Sequence, residues 1–310
     1  MEETNGTIVD EFILQGFPGS VLLHTVMFIA LLVIYIVTLA GNILIIIIVS
    51  MDYRLHLPMY FFIVCLSCLE VIAISTVVPK FVIILFSATP SISKVGCFVQ
   101  SYLFYFTSTA DLLLLTVMSI DRCVAICCPL RYSSIMINSI CFGLMFGCLI
   151  PPFFTLLYPT IIISNLPFCG NVLNHFFCET TAMLKLICID ISLIKLNSLF
   201  SSILILIGCL LITTVSYLLI VITVIRLPTD TGRQKTFSTC VSHLTMLSLF
   251  FGSAIFILIR PPKEYSVETD KVVNLVSTVL APLLNPFVYS LRNQKVKKCI
   301  QDAFKQIRIL

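Results

Sequence analysis

The stretch MSIDRCVAICCPLRY (residues 118–132) places two oppositely charged residues, Asp121 and Arg122, at the end of a long and mostly apolar run. Charged side chains are costly at membrane depth, so they usually face a bundle interior or water and pair with one another. At the rim of a membrane, neighbours of opposite charge can reach water and also pair with each other. A plain interfacial anchor is the alternative, since an arginine near the end of a span can extend its side chain to water. In both cases the stretch predicts the end of a membrane-spanning helix.

The composition of the whole chain also indicates a membrane protein. Of its 310 residues, 59% are hydrophobic and 11% are charged, whereas soluble proteins have about 45–50% apolar and about 25% charged residues. Several apolar runs exceed the roughly 20 residues that a helix needs to cross a bilayer. We therefore predict an all-α membrane protein, a bundle of seven transmembrane helices forming one domain over residues 1–310. The predicted spans are residues 24–50, 58–86, 97–126, 139–160, 196–226, 236–259 and 270–291.

The distribution of charge predicts the orientation of the bundle. Most lysines and arginines fall on the side that holds the tail 292–310, and the side rich in these residues faces the cytoplasm. The N-terminal segment 1–23 is acidic and lacks the basic start of a signal peptide, which argues against cleavage. The basic bias of the other side places this segment outside the cell. Asn5 opens an Asn-Gly-Thr sequon and is then a candidate glycosylation site.

Four of the 14 cysteines fall on the predicted outer side, where disulfides persist. They are Cys97, Cys169, Cys178 and Cys188. A bond between Cys97 and Cys178 would draw the long loop 161–195 over the mouth of the bundle, and Cys169 with Cys188 could then close a smaller loop. Four cysteines allow three connectivities, and the sequence does not choose among them.

The tail 292–310 carries apolar residues at helical spacing with lysines and arginines between them. This pattern is typical of a short amphipathic helix lying on the anionic inner leaflet. A solvated basic tail is the alternative. The apolar positions are Val296, Ile300, Ala303, Phe304 and Ile307.

Seven motifs follow one another along nearly the whole chain. They are Gly41-Asn42, LHLPMYFF (55–62), Val78-Pro79-Lys80, MSIDRCVAICCPLRY (118–132), Ser216-Tyr217, KTFSTCVSHL (235–244) and PLLNPFVYSLRN (282–293). In this order they resemble the rhodopsin-like seven-helix receptors, and among these the olfactory (odorant) receptors. The resemblance implies an odorant-activated receptor of the plasma membrane. It further implies coupling to a stimulatory, olfactory-type heterotrimeric G protein that raises cyclic AMP.

The resemblance also implies two sets of functional residues. The first is a ligand pocket in the outer half of the bundle, whose mostly apolar and hydroxyl lining suits a small, volatile, neutral or weakly polar odorant. The second is a switch for coupling to the G protein. The pocket positions are Phe104, Tyr105, Ser108, Thr109, Ser201, Ser202, Ile205, Phe251, Ile255, Phe256 and Thr278. The switch positions are Asp121, Arg122, Tyr217, Asn285, Pro286 and Tyr289.

Two acidic residues, Glu70 and Asp111, fall in the middle of predicted spans two and three. Two buried acids are costly unless they are protonated, paired or bound to a metal. Carboxylate oxygens suit a hard cation, and Na⁺ is therefore a possible structural ion between them. A protonated hydrogen-bond network without metal is the equal alternative, and no other cofactor is expected.

Some residues depart from the pattern of the family, and other classes of protein find little support. Cys123 stands where the family usually carries tyrosine, which puts the strength of coupling in doubt. A transporter or channel would show repeat symmetry or a continuous polar stripe, and an intramembrane enzyme would show a nucleophile with its base. The sequence shows none of these features. A metal site at His175, Cys178 and Glu179 is only loosely suggested by their spacing. The basic residues are split among the spans, so no nucleic acid is expected as a partner.

Overall fold

The computed structural model describes residues 9–87, 89–226, 230–259, 267–291 and 294–309, without the side chains of residues 230–232, 234–239, 242, 258–259, 267, 289–291, 294 and 303–309. Within these ranges seven long helices follow one another. They are α1 (Val21–Met51), α2 (Pro58–Ile84), α3 (Lys94–Cys127), α5 (Asn138–Ser164), α7 (Ser192–Ile225), α8 (Asp230–Ile259) and α9 (Val267–Leu291). The shorter elements are α4 (Tyr132–Ile135), α6 (Thr180–Leu184), α10 (Gln294–Ile309) and the strands β1 (Glu11–Leu14), β2 (Ser91–Ser93) and β3 (Val172–Leu173).

Each predicted span coincides with one long helix, which confirms the seven-helix bundle. Several helices begin a few residues before the predicted span, and serine side chains cap two of them. The Ser20 hydroxyl accepts a hydrogen bond from the backbone N–H of Leu23 at 3.3 Å, and Ser93 caps α3 in the same way. α7 begins at Ser192, four residues before the predicted start of its span at 196.

Within the described ranges, five helices are long and apolar enough to cross a membrane: α1, α2, α5, α7 and α9. α3 joins this group together with its continuation to Ile135, which bends by 111°. The charged residues Asp111, Asp121 and Arg122 lower the hydropathy of α3. α8 contributes a shorter apolar stretch, His243–Ile257, because its first turns are polar.

α3 lies at the centre of the bundle and packs against α2, α5 and α7, while α9 packs against α1, α2 and α8. Large apolar side chains such as Ile29, Phe154 and Leu211 are exposed on α1, α5 and α7. An exposed apolar surface of this kind suits contact with lipid, where helices satisfy their own backbone hydrogen bonds.

The N-terminal segment forms a strand that the sequence did not predict. β1 is the middle strand of a three-stranded sheet, antiparallel to β2 and parallel to β3. Phe12 and Leu14 point inward and are buried, and Phe12 meets Phe168 edge to face at 5.3 Å between ring centroids. The chain before α1 therefore covers one end of the bundle.

Two disulfides hold the loop between α5 and α7 at this same end, which we call the outer end. They join Cys97 to Cys178 and Cys169 to Cys188. The structure thus selects one of the three possible connectivities.

The opposite end carries the amphipathic tail helix α10. Val296 and Cys299 are buried, and Ile300 packs against the same apolar cluster. Arg54, in the turn after α1, reaches Asp302 on α10 at 3.2 Å. The predicted helix is therefore present and docked against the bundle.

Candidate functional site

The outer end contains a cavity of about 130 Å³ between the loop after β3, helix α6 and the first turns of α9. Most of the residues that line it are polar, although apolar atoms make up most of its surface, and the sequence did not predict it as a site. The polar side chains that line it are Asn174, His175, Glu179, Thr181, Lys185, Asp270 and Asn274. His175, Glu179 and Asn274 are at most 5% exposed, whereas Asn174, Thr181 and Lys185 are exposed at its rim.

Glu179 links this cavity to the predicted pocket. One carboxylate oxygen caps α6 by accepting a hydrogen bond from the backbone N–H of Ala182 at 2.7 Å. The other accepts the hydroxyl hydrogen of Tyr105 on α3 at 3.0 Å. Tyr105 was predicted from the family resemblance, whereas Glu179 was considered only as a weak metal ligand.

The other predicted pocket residues on α3 lie close to the loop or along the same helix. The Phe104 ring packs against Phe177 with a centroid distance of 4.8 Å. Ser108 and Thr109 are half-buried one turn further along α3. Phe104 and Tyr105 therefore meet the disulfide-held loop, whereas Ser108 and Thr109 lie deeper along the same helix.

The predicted residues on α7 and α8 divide into two groups. Ile205, Phe251 and Ile255 share one apolar cluster, and Phe251 is buried in it. Ser201 and Ser202 are exposed, and the Ser202 hydroxyl donates to the carbonyl of Ser198 in its own helix at 2.9 Å. A hydroxyl used in this way is less available to a ligand.

Two predicted positions remain. Phe256 is half-buried on α8, and Thr278 is buried on α9. The Thr278 hydroxyl donates to the carbonyl of Asn274 at 2.6 Å, which ties it to the turn that lines the outer cavity. The pocket assignments as a set remain predictions.

A buried lysine fastens the N-terminal cover to α9, and sequence reasoning missed it. Lys271 is 1% exposed, and its ammonium group donates to the carbonyl of Gly16 and to the Glu268 carboxylate at 3.0 Å. The Phe17 ring lies 5.9 Å from the same nitrogen and stacks on Phe176 of the loop. The sequence did hold a sign of this contact, because Lys271 is the second residue of the predicted span 270–291 and a lysine there needs a partner.

Deeper in the bundle, Glu70 and Asp111 are both buried and close enough to interact electrostatically. Asn42 on α1 lies beside Glu70. Within the described residues, neither carboxyl oxygen of Glu70 has a hydrogen-bond partner, and neither does one oxygen of Asp111 or the side-chain amide of Asn285. Such a cluster requires a proton or a cation to offset the cost of burial.

Hard oxygen donors of this kind fit a small cation. Among the described residues no three His, Cys, Asp or Glu side chains come together as a metal site. Further ligands to an ion at Glu70 and Asp111 would therefore be amide, hydroxyl, carbonyl or water oxygens. The candidate site around His175 is not supported, because Cys178 is used in a disulfide.

The switch region on α9 depends on two neighbouring residues of α1. Pro286 has no backbone N–H, so the carbonyl of Pro282 loses its helical partner. The side-chain amide of Asn42 donates to that carbonyl at 3.2 Å. At Gly41 an added Cβ would lie 2.9 Å from the Cβ of Pro286, so only glycine permits the close approach.

At the opposite end from the cavity, Asp121 and Arg122 form the expected pair. The Arg122 guanidinium contacts the Asp121 carboxylate at 2.6 Å, and Asp121 is buried. The Tyr132 hydroxyl donates to the second carboxylate oxygen at 2.7 Å. Burial and this hydrogen bond raise the pKa of Tyr132, so its hydroxyl keeps its proton. Tyr132 ends the quoted stretch, but no role was predicted for it.

A second contact lies beside this pair. The Tyr217 hydroxyl and Nδ1 of His243 are 2.6 Å apart, which joins α7 to α8. Both residues are close enough to Arg122 to interact with it electrostatically. His243 belongs to the quoted motif KTFSTCVSHL but was not predicted as a switch residue.

The Tyr289 side chain and all of Asn5 lie outside the described residues.

Seven long helices with a buried acidic pair and a charged pair at one rim define a seven-helix membrane bundle. A family model described as olfactory receptor matches residues 31–307. The chain is 43% identical over 304 residues to Olfactory receptor 6T1 of Homo sapiens, covering 98% of this chain and 94% of that protein. It is 40% identical over 300 residues to Olfactory receptor 6E1 of Mus musculus, covering 96% of each.

The chain belongs to the olfactory receptor family. It is therefore a multi-pass plasma-membrane protein and not an enzyme, as the resemblance had implied. The geometry above adds which of its side chains meet at the outer end, at the acidic pair and at the rim.

Proposed function

We propose that the protein binds small, volatile, neutral or weakly polar odorants in the outer half of its bundle and activates a stimulatory, olfactory-type G protein, which raises cyclic AMP. The observation that carries this proposal is the pairing of Arg122 with Asp121, supported by Tyr132, at the end of α3 opposite the outer cavity. In a receptor family, such a restrained cation is the expected contact for a G protein.

The contacts at the rim support a resting state with Arg122 held in place. Asp121 neutralises the guanidinium, and Tyr132 fixes the carboxylate. The bond between Tyr217 and His243 ties α8 to α7 beside them. Outward movement of α8 would break that bond and open the surface around Arg122. N-terminus outside and C-terminus inside is the orientation that puts this surface in the cytoplasm.

A cyclic AMP assay with a panel of volatile odorants tests the proposal. Wild type should respond to at least one odorant, and Arg122→Ala should abolish the response at equal surface expression. Arg131→Ala is the matched control, because Arg131 lies nearby on the exposed turn before α4. Equal responses in wild type and Arg122→Ala would refute the coupling role, and an odorant-independent ion current would favour a channel.

We further propose that Glu70 and Asp111 hold Na⁺ in the resting receptor, since their unpartnered oxygens fit a hard cation. The ion would neutralise the buried acids and favour the resting arrangement. Replacing sodium by N-methylglucamine should then shift odorant activation curves to lower concentration, and Asp111→Ala should remove the shift. Identical curves for wild type in the two salts would favour the protonated network instead.

A further inference from the structure

Two cysteines contact each other at the end of α3 that carries Asp121 and Arg122. Cys123 and Cys127 lie one turn apart on this helix, and their sulfur atoms are 3.9 Å apart. Both side chains are partly buried, whereas the next thiol along the chain, Cys128, is exposed. Because Cys123 stands where the family usually carries tyrosine, the pair arises from a departure of this chain from the family pattern. The proposed coupling role does not account for it.

A series of hydrogen bonds connects the two thiols to α7. The Cys123 thiol donates to the Cys127 sulfur, and the Cys127 sulfur lies 3.2 Å from the hydroxyl oxygen of Thr223. The Thr223 hydroxyl donates to the carbonyl of Leu219 at 2.9 Å, so its oxygen accepts the hydrogen of Cys127. The second sulfur is therefore held in position by a contact with a neighbouring helix.

The spacing of the pair suits a shared ion better than a disulfide. A disulfide needs Cβ atoms about 3.5–4.5 Å apart, whereas residues four apart on a helix keep theirs about 5–6 Å apart. Thiolate sulfur binds zinc at about 2.3 Å, so two sulfurs on one ion of that size lie up to about 4.6 Å apart. The 3.9 Å between Cys123 and Cys127 falls within this limit. One ion can therefore bridge the two sulfurs while α3 remains a regular helix.

The small number of ligands favours one kind of ion. Thiolates are soft ligands and select Cu(I) or zinc, but structural zinc sites almost always take four protein ligands. Within the described part of the chain, no group of three His, Cys, Asp or Glu side chains is placed to hold a metal. Cu(I), in contrast, is stable with two thiolates alone. In the proposed orientation this end of α3 is cytoplasmic, where thiols stay reduced.

We propose that Cys123 and Cys127 form a two-coordinate site for Cu(I) at the cytoplasmic end of α3. The ion displaces both thiol protons to water, and the resulting bis-thiolate complex carries one net negative charge. The Thr223 hydroxyl then turns from the Leu219 carbonyl and donates to the Cys127 thiolate, because such outer partners orient metal ligands. The site goes beyond the proposed signalling function and needs only the cytoplasmic orientation.

Copper transfer to purified receptor in nanodiscs tests the site. Cu(I) is supplied under nitrogen, with ascorbate, as its bicinchoninate complex, whose violet colour fades as copper leaves it. Wild type should take up about one Cu(I) more per receptor than Cys123→Tyr or Cys127→Ser. Cys128→Ser is the matched control, because that thiol is adjacent but exposed, and it should take up as much as wild type. Equal uptake by wild type and both pair variants, or reduced uptake by Cys128→Ser, would overturn the proposal.

The contact with α7 gives a second test that leaves both sulfurs in place. Thr223→Val removes the hydroxyl but keeps the shape of the side chain. It should weaken Cu(I) binding by about tenfold or more, the usual cost of losing an outer partner of a metal ligand. Thr223→Ser keeps the hydroxyl and should bind copper as wild type does. Equal affinities in the two variants would contradict the part assigned to Thr223.

Phenylarsine oxide checks the pairing of the thiols without a metal ion. It forms two arsenic–sulfur bonds with a pair of thiols and releases its oxygen, with both thiol protons, as water. Peptide mass mapping of wild type should find an adduct that joins Cys123 to Cys127 and resists excess 2-mercaptoethanol, and Cys123→Tyr should lack it. Failure of wild type to form this adduct would refute the close approach of the sulfurs. Formation of a disulfide between them in air, without copper uptake under nitrogen, would refute the metal site.

Discussion

Replacing Gly41 by alanine tests the close packing of α1 against α9. The added Cβ would lie 2.9 Å from the Cβ and 3.1 Å from the Cγ of Pro286. Carbon atoms prefer separations of about 3.5–4.0 Å, and a proline ring cannot rotate away. The helices must therefore separate by a large part of an ångström, which also lengthens the hydrogen bond from Asn42 to the Pro282 carbonyl.

The expected cost follows from two opposing effects. Overpacking a well-packed site costs about 1–3 kcal/mol, whereas alanine gains about 1 kcal/mol over glycine within a helix. Gly41→Ala should therefore be destabilised by roughly 0–2 kcal/mol. Gly208→Ala is the matched control, because an added Cβ there meets nothing within 4 Å and keeps only the helical gain.

The assay is thermal loss of helicity by circular dichroism, with wild type and both variants in the same detergent and at one heating rate. Gly41→Ala should melt below Gly208→Ala, and Gly208→Ala should melt at or above wild type. The contrast between the two variants, about 1–3 kcal/mol, is the quantity of interest because detergent effects cancel in it. Equal melting of both variants would refute the close approach of Gly41 to Pro286.

Three further substitutions test other contacts. Tyr132→Phe removes a hydrogen bond to a buried carboxylate, worth about 1.5–3 kcal/mol, so basal cyclic AMP should rise; an unchanged basal level at equal expression would argue against a restraining role. Cys123→Tyr restores the tyrosine usual in the family and should raise the maximal odorant response, with Cys128→Tyr on the exposed neighbour as control; a lower maximum would contradict this. Lys271→Met keeps the length of the side chain but removes its bonds to Gly16 and Glu268. Amide hydrogen exchange across β1 should then accelerate about tenfold or more, and unchanged exchange would show that the strand is held without it.

The long helices could be predicted because each is a local apolar run, and a bilayer needs about 20 such residues. The N-terminal strand could not. β1 has four residues, and its partners lie near residues 91–93 and 172–173. Its pairing therefore depends on the loops that the disulfides hold in place, and the disulfide connectivity was itself open in the sequence.

The functional residues divide along the same line. The two charged pairs could be predicted, because a charged residue within an apolar run is recognisable from the sequence alone. They are Glu70 with Asp111 and Asp121 with Arg122. Tyr132, His243 and Glu179 were not predicted, although the first two lie within quoted motifs, because nothing local shows which residue their side chains will meet. Each acquires its role from one contact across the fold: Tyr132 with Asp121, His243 with Tyr217 and Glu179 with Tyr105.

The contact between α1 and α9 explains why Gly41 and Asn42 stand next to each other. Pro286 leaves the Pro282 carbonyl without its helical donor, and the two residues are one turn apart on α9. Asn42 supplies the missing donor only if α1 comes close, and α1 can come close only because Gly41 has no side chain to meet the ring of Pro286. The close contact between α1 and α9 therefore depends on the proline, the amide and the glycine together. A substitution at any of the three should disturb the same junction, which lies beside the buried acids.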